Sequence, residues 1–191
     1  MILQALVDYY EALAAQGKIT KPGWTNAKIS YALQINAEGE LKRIIPLKTT
    51  EQRGKKKVEV LKNMAVPGGE IRSSGIRAQF LWDNSSYMFG VSNKNNKNAS
   101  AEKVAKNKER DCKCFEAMKK LQLDLLVEPQ GEYAKAVRNY FLHWQVDQTE
   151  ENAVIVPFKD DILSGVNLVF QLEGQLNYAQ DDAELKQIWN K

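Results

Sequence analysis

The chain has 191 residues, of which 43% are hydrophobic and 27% charged, and its formal net charge is +3. This length suits one well-buried domain or at most two small ones, and we expect a single domain over residues 1–191. No apolar run approaches the length of a membrane span, and the N-terminus has neither the basic region nor the cleavage site of a signal peptide. Two cysteines, Cys112 and Cys114, are too few for a disulfide framework or a zinc site, so we expect a cytoplasmic protein.

Charge is distributed unevenly along the chain. Residues 1–120 contain 22 Lys and Arg against 12 Asp and Glu, whereas residues 121–191 contain 5 against 12. This asymmetry suggests one part that faces a polyanion and another that faces water or a neighbouring subunit. Two solvated surfaces of different charge would give the same pattern, so the charge alone leaves both interpretations open.

The first 60 residues predict a helix followed by strands. Apolar residues at three- and four-residue spacing predict an amphipathic helix from about residue 2 to 16, before Gly17: Leu3, Leu6, Val7, Tyr10 and Leu13. A hairpin spanning about residues 28–47 is then predicted by alternating apolar residues: Ile29, Tyr31, Leu33 and Ile35. Pro46 should lie at an edge or a strand end of this hairpin. A basic connection follows, with a short β-like segment around Val58 and Val60.

The rest of the chain alternates between short strands and helices. SYMFGVS predicts a strand, residues 93–98 an exposed loop, and Ser100 the cap of a helix that runs to about residue 120. A second helix is predicted from about residue 131 to 146, then a strand, a glycine-centred turn and a short strand in GVNLVFQLEGQLNYAQ. DDAELKQIW predicts a closing helix with an acidic cap. The fold class is therefore α+β, a mixed domain with a small antiparallel sheet and several helices.

Few residues suggest catalysis. His143 is the only histidine, and no nucleophile, phosphate-binding or zinc-protease motif is present. The carboxylate pairs Asp160–Asp161 and Asp181–Asp182 are typical of helix caps. We therefore expect a protein that is not an enzyme and needs no cofactor or metal. A nuclease whose carboxylates converge from different elements stays open, since sequence spacing does not test it.

Three groups of basic and amide residues favour nucleic-acid binding. The first contains Arg53, Lys55, Lys56 and Lys57, and the second contains Arg72 and Arg77. The third runs from a polar loop into a helix: Asn93, Lys94, Asn95, Asn96, Lys97 and Lys103, followed by Lys106, Lys108 and Arg110. Clustered cations gain affinity for phosphates by counterion release, and loop amides can read base edges. Exposed lysines that only solvate a surface are the alternative for the first and third groups.

Four separated blocks carry a resemblance to a known family. They occur in the order MILQALVDYYEALA, GWTNAKISYALQINAEGEL, RSSGIRAQFLWDNSSYMFG and VNLVFQLEGQLNYAQDDAELKQIW. Together they resemble the N-terminal region of the large subunit of the type I-C CRISPR surveillance complex (Cascade), a Csd-type CRISPR-associated protein. The resemblance covers essentially the whole chain. Members of that family are much longer, so the chain is similar to an N-terminal domain of them.

The resemblance implies a non-enzymatic role in antiviral defence. Such a subunit recognises the protospacer-adjacent motif on double-stranded target DNA, lies at the end of the complex that holds the 5′ handle of the guide RNA, and helps recruit a helicase–nuclease. Its implied partners are target DNA, guide RNA, and the handle-binding and backbone subunits of Cascade, with no membrane. The alternative is a module that docks protein or guide RNA without reading duplex DNA.

Within residues 72–90, the two halves predict different roles. Phe80, Leu81, Trp82, Tyr87 and Phe89 are expected in or against a core, and Asp83 and Asn84 are typical turn formers. Arg72, Ser73, Ser74, Gly75 and Arg77 are instead expected to contact target DNA or guide RNA. A glycine between small hydroxyl residues permits close backbone approach to a ligand, and arginine can bind phosphate or guanine.

Overall fold

A computed structural model describes residues 2–15, 20–69, 75–93 and 100–191 of the chain. Its helices are α1 (Ile2–Ala15), α2 (Ser85–Met88), α3 (Ala101–Leu125), α4 (Glu132–His143), α5 (Lys159–Leu163) and α6 (Ala183–Trp189). Its strands are β1 (Trp24–Ile29), β2 (Tyr31–Ile35), β3 (Leu41–Pro46), β4 (Thr49–Arg53), β5 (Lys56–Val60), β6 (Lys62–Pro67), β7 (Trp82–Asn84) and β8 (Asn167–Leu172). This combination confirms the predicted α+β class.

The centre of the fold is a four-stranded sheet in the order β3-β2-β8-β7. Strand β2 pairs with β3 in antiparallel fashion and with β8 in parallel fashion, so the sheet is mixed rather than purely antiparallel. The predicted hairpin is present, but it begins at Tyr31 because Lys28 and Ile29 belong to β1, which pairs with β6. Pro46 ends the edge strand β3, as predicted, where its missing N–H breaks no ladder.

Both faces of this sheet are covered. Leu33 and Phe170 are fully buried on one face, where the ring of Phe170 lies 5.0 Å from that of Tyr140 on α4. Ala32 and Val169 belong to a second buried cluster on the other face, formed with the two-stranded β1–β6 ribbon. Because β2 and β8 are buried on both sides, their sequences are nearly continuous apolar runs rather than alternating ones.

Two predicted strands are wrong. SYMFGVS does not form a strand, since α2 begins at Ser85 directly after the short strand β7. The side chain of Asn84 accepts a hydrogen bond from Ser86 N at 3.1 Å, and this cap starts a helix where apolar residues suggested a strand. After Gly174 the chain forms a 3-10 turn at Ala179–Asp181 instead of a second strand.

The predicted helices are present with changed ends. Ser100 caps α3 as predicted, accepting from Lys103 N at 3.3 Å, but the helix continues to Leu125. Helix α4 ends at His143, before the predicted end, and Asp182 caps α6 as predicted. Helix α1 has the predicted extent, although Gly17 lies outside the described residues. Most of its described apolar side chains are exposed, Leu3 by 77%, and none of them belongs to the buried core clusters.

The apolar half of residues 72–90 packs as predicted. Phe80, Leu81, Tyr87 and Phe89 are buried, whereas Trp82 is half-buried against the β1–β6 ribbon and donates from Nε1 to Pro67 O at 2.9 Å. Asp83 is buried and accepts a hydrogen bond from Gln79 N, which confirms its structural role. Within the described ranges, no helix combines the length and apolarity needed to cross a membrane.

Candidate nucleic-acid interface

The first basic group lies on a hairpin formed by β4 and β5. The register places Arg53 opposite Lys56 and Gln52 opposite Lys57, and Gly54 turns the chain with a positive φ of 63°. Lys55, Lys56 and Lys57 are exposed, while the side chain of Arg53 lies outside the described part of the structure. The three exposed lysines therefore concentrate positive charge at the tip of the hairpin.

The base of the hairpin is tied to helix α5 by a salt bridge. Lys48, which directly precedes β4, has its Nζ atom 2.6 Å from Asp161 Oδ2 and 3.3 Å from Glu59 Oε2. Tyr31 donates a hydrogen bond to the same Asp161 oxygen. The hydrogen bond from Lys48 holds the pKa of Asp161 below its usual value, and the bond to Asp161 raises the pKa of Lys48. Lys48 therefore anchors the hairpin.

The same helix also holds the start of the polar loop. The backbone N–H of Asn93 donates to Leu163 O at 2.7 Å, and Leu163 follows Asp161 by two residues in α5. One helical turn thus binds both the base of the basic hairpin and the residue from which the polar loop begins. Asn93 itself is exposed. The four loop residues predicted to bind nucleic acid lie outside the described residues: Lys94, Asn95, Asn96 and Lys97.

The helix that follows the loop projects from the core. Asp111 is buried and accepts a hydrogen bond from Ser92 Oγ at 2.5 Å. This bond fixes α3 next to Ser92, the residue that precedes Asn93. Nearly all residues from 101 to 110 are exposed, so roughly 15 Å of α3 extends beyond this contact. Lys103, Lys106 and Arg110 recur at three- and four-residue spacing and form one basic stripe.

The second basic group lies elsewhere. Arg77 is exposed, and its backbone N–H donates a hydrogen bond to Tyr87 Oη at 3.2 Å. Gly75 has a positive φ of 84°. Arg77 lines a cavity together with Gly68, just beyond the end of β6. The hairpin lies at the other end of that strand, roughly 17 Å away along β6. Arg72, Ser73 and Ser74 lie outside the described residues.

The candidate catalytic groups are dispersed over the structure. His143 ends α4 and is exposed. Asp160 and Asp161 lie in the first turn of α5 and do not cap it, so that prediction is wrong; the N-cap residue is Phe158. Across residues 2–15, 20–69, 75–93 and 100–191, no three His, Cys, Asp or Glu side chains are close enough together to hold a metal ion.

Sequence reasoning missed the anchor at the hairpin base. Lys48 and Asp161 are 113 residues apart along the chain, and no motif links them. The sequence marked Asp161 only as part of a carboxylate pair. Residue spacing cannot show which long-range ion pair will join two such elements, since the two residues meet only in the folded chain.

The sequence of the chain matches a known protein family. The sequence model of the CRISPR-associated protein family Cas_Csd1 matches residues 6–191. The chain belongs to the Cas_Csd1 family. No curated protein matches the chain. The Cas_Csd1 match confirms the coarse resemblance to a Csd-type CRISPR-associated protein, and it covers every basic group described above.

Proposed function

We propose that this Cas_Csd1 chain is a non-catalytic, cytoplasmic domain of the large subunit of a type I-C CRISPR interference complex. In this proposal it recognises the protospacer-adjacent motif on double-stranded target DNA and helps the complex assemble around the 5′ handle of the guide RNA. The observation that carries the proposal is that the single helix α5 holds both the base of the basic hairpin and Asn93, which precedes the predicted polar loop. Lys48 joins the hairpin to Asp161, and Asn93 N–H donates to Leu163 O.

The arrangement suits a protein that holds a nucleic-acid backbone. The exposed lysines of the hairpin and the basic stripe of α3 extend from two elements, which can contact phosphates at separated points of a duplex. In guide-directed complexes, base pairing supplies most of the sequence specificity, and protein reads only a short motif. A domain with this task needs basic surfaces and a few base contacts rather than a catalytic centre.

The acidic part of the chain favours a second role. Residues 121–191 contain 12 acidic and 5 basic residues, and Asp147, Glu151 and Glu173 are exposed. Such a surface suits docking against a basic, RNA-binding neighbour, such as a backbone or handle-binding subunit. The alternative function is therefore a module that docks protein or guide RNA and does not read duplex DNA. Recruitment of a helicase–nuclease is compatible with both functions.

Fluorescence anisotropy of the chain against short duplexes with randomised base pairs, measured across a salt series, separates these functions. The proposal predicts binding with a steep salt dependence and preference for one short motif. Binding to handle RNA without binding to any duplex would support the docking alternative instead. Charge removal at Arg72 and Arg77 should weaken duplex binding more than charge removal at Lys106 and Lys108. Equal losses would mean that the arginines add only phosphate attraction.

A nuclease assay tests the non-catalytic part of the proposal. The chain is incubated with DNA and RNA in the presence of magnesium or manganese, and no cleavage is expected. Cleavage that survives repurification and disappears in Asp160→Asn or Asp181→Asn would contradict the proposal. Both substitutions are near-isosteric, so a loss of folding is not expected to explain the result.

A further inference from the structure

The outer face of the β1–β6 ribbon carries polar side chains that the core does not use. Asn26, Lys28 and Asn63 are exposed, and their side chains make no hydrogen bond or ion pair with any residue that the structure describes. The register sets Asn26 opposite Ala65 and Lys28 opposite Asn63, and Ala65 is exposed as well. These four residues therefore share one face. Neither strand contains an Asp or Glu that would repel a polyanion.

The opposite face of the ribbon is buried and fixes it to the central sheet. It packs on Ala32 and Val169 through four buried side chains: Ala27, Ile29, Met64 and Val66. A hydrogen bond from Gly68 N to Gly23 O, at 2.7 Å, closes the end of the ribbon. Strands that are held in this way position exposed side chains more precisely than loops do.

The spacing of the exposed side chains suits stacked base pairs. Two residues of the same face of one strand, such as Asn26 and Lys28, lie roughly 7 Å apart, since a strand rises about 3.4 Å per residue. Successive nucleotides of one DNA strand are also about 3.4 Å apart along the axis. Residues 26 and 28 can therefore reach base pairs two steps apart. Because the side chain of Ala65 is short, the three longer side chains can extend past it toward one ligand.

Positive charge lies beyond both ends of the ribbon. The basic hairpin adjoins the start of β6, and the exposed Arg77 lies next to Gly68, just beyond the end of that strand. In protein–DNA complexes, cationic side chains bind phosphates and set the register, while other side chains contact the base edges. The ribbon has this arrangement, with neutral amides between two cationic regions.

We propose that the outer face of the β1–β6 ribbon reads base edges of duplex DNA, with Asn26 and Asn63 as the residues that contact purine edges. An asparagine amide both donates and accepts, so it can bond N6 and N7 of adenine in the major groove, or the purine edge in the minor groove. Two-stranded ribbons of other DNA-binding proteins use either groove. Double-stranded RNA is a poorer ligand, since side chains cannot read its deep, narrow major groove. This inference rests on the proposed function and deepens it, because it names the residues that read bases.

Substitution of the two asparagines separates base reading from phosphate attraction. Asn26→Ala and Asn63→Ala change no charge and lie at exposed positions, so neither the salt dependence of binding nor the melting temperature should change. The matched control is Gln175→Ala, which removes an exposed amide from the turn that follows β8. Each variant is titrated by fluorescence anisotropy with duplexes that are varied one base pair at a time, and with handle RNA.

The proposal predicts that Asn26→Ala and Asn63→Ala each lose about tenfold of discrimination at one base-pair position, whereas Gln175→Ala keeps the preference of the wild type. A wild-type preference that both asparagine variants retain would overturn the reading role of the ribbon and leave the proposed function intact. Asparagine-dependent binding of handle RNA alone would overturn the assignment to duplex DNA. Absence of wild-type binding to any duplex at low salt would contradict the proposed function itself.

Base analogues in the duplex identify the groove and give a readout in the wild-type chain. The 7-deazapurines lack the N7 acceptor of the major groove, whereas inosine lacks the guanine amino group and 3-deazaadenine lacks the N3 acceptor of the minor groove. One of these two sets should weaken wild-type binding at the discriminated position, and the same analogue should weaken Asn26→Ala or Asn63→Ala less. Unchanged wild-type affinity with both sets at every purine would overturn base reading by the ribbon.

Discussion

Removal of the Lys48–Asp161 salt bridge should destabilise the chain by about 1 kcal/mol and loosen the basic hairpin. Lys48→Met keeps the aliphatic stem and removes the charge, and Asp161→Asn keeps an acceptor for Tyr31. The bridge is short, at 2.6 Å, and the Lys48 side chain is only 21% exposed, which favours a real contribution. The Asp161 side chain is 39% exposed, so solvent screening keeps the value below that of a buried charged pair.

A double-mutant cycle measured by urea denaturation isolates this contribution. We expect a coupling energy of about 1 kcal/mol between Lys48→Met and Asp161→Asn, and faster amide hydrogen exchange in β4 and β5 of each variant. The control cycle uses Lys42 and Glu40, a more exposed pair at 3.4 Å, for which coupling should stay below about 0.5 kcal/mol. Additive effects at Lys48 and Asp161, with unchanged hairpin exchange, would refute the anchor.

Three further predictions concern stability. The pKa of Asp161 is lower in the folded state than in the unfolded chain, so its ionised carboxylate stabilises the fold above the unfolded pKa. This stabilisation disappears as the pH falls through the folded pKa, so the difference in unfolding free energy between wild type and Asp161→Asn should shrink on acidification. A constant difference in urea titrations would contradict the pKa shift. Tyr133→Phe should lower the free energy of unfolding by about 1–3 kcal/mol. The reason is that Tyr133 Oη donates to Asn177 O at 2.5 Å and accepts from the buried Leu172 N at 3.0 Å. An unchanged urea midpoint would contradict this prediction. Trp82→Ala should lower the free energy of unfolding by about 2 kcal/mol. This is less than the loss expected for a fully buried tryptophan, because the ring of Trp82 is half-buried. A thermal melt equal to that of the wild type would show that its packing contributes nothing.

Local signals in the sequence predicted most of the helices well. Ser100 and Asp182 are capping residues whose side chains bond the first turn directly, so their effect can be inferred from neighbouring residues alone. The turn between β2 and β3 was equally local. Its residues bond one another, with Asn36 Oδ1 accepting from Glu40 N at 2.8 Å.

Features that depend on distant residues could not be predicted. The strand predicted at SYMFGVS, residues 86–92, was wrong because the cap at Asn84 starts a helix there, and β7 needs β8 as its partner. The exposure of α1 also depends on the tertiary structure. Its apolar spacing suggested burial, and spacing alone does not show whether another element covers a helix. In the candidate interface, the charged residues were evident from the sequence. Their attachment to α5 through Asp161 and Leu163 was not, because it joins segments far apart along the chain.

If the exposed lysines of the β4–β5 hairpin contact nucleic acid, their removal should reduce the salt dependence of DNA binding. Anisotropy with a short duplex compares wild type with the triple variant Lys55→Gln, Lys56→Gln, Lys57→Gln. A control of equal charge replaces three lysines that are held in ion pairs within the described structure: Lys113, Lys120 and Lys159.

Each phosphate contact contributes about 0.9 to the slope of log K against log salt. We therefore expect the slope to fall by about 2–3 in the hairpin variant and by less than about 1 in the control. Equal changes in both variants would mean that the hairpin acts only through overall charge and would contradict the interface.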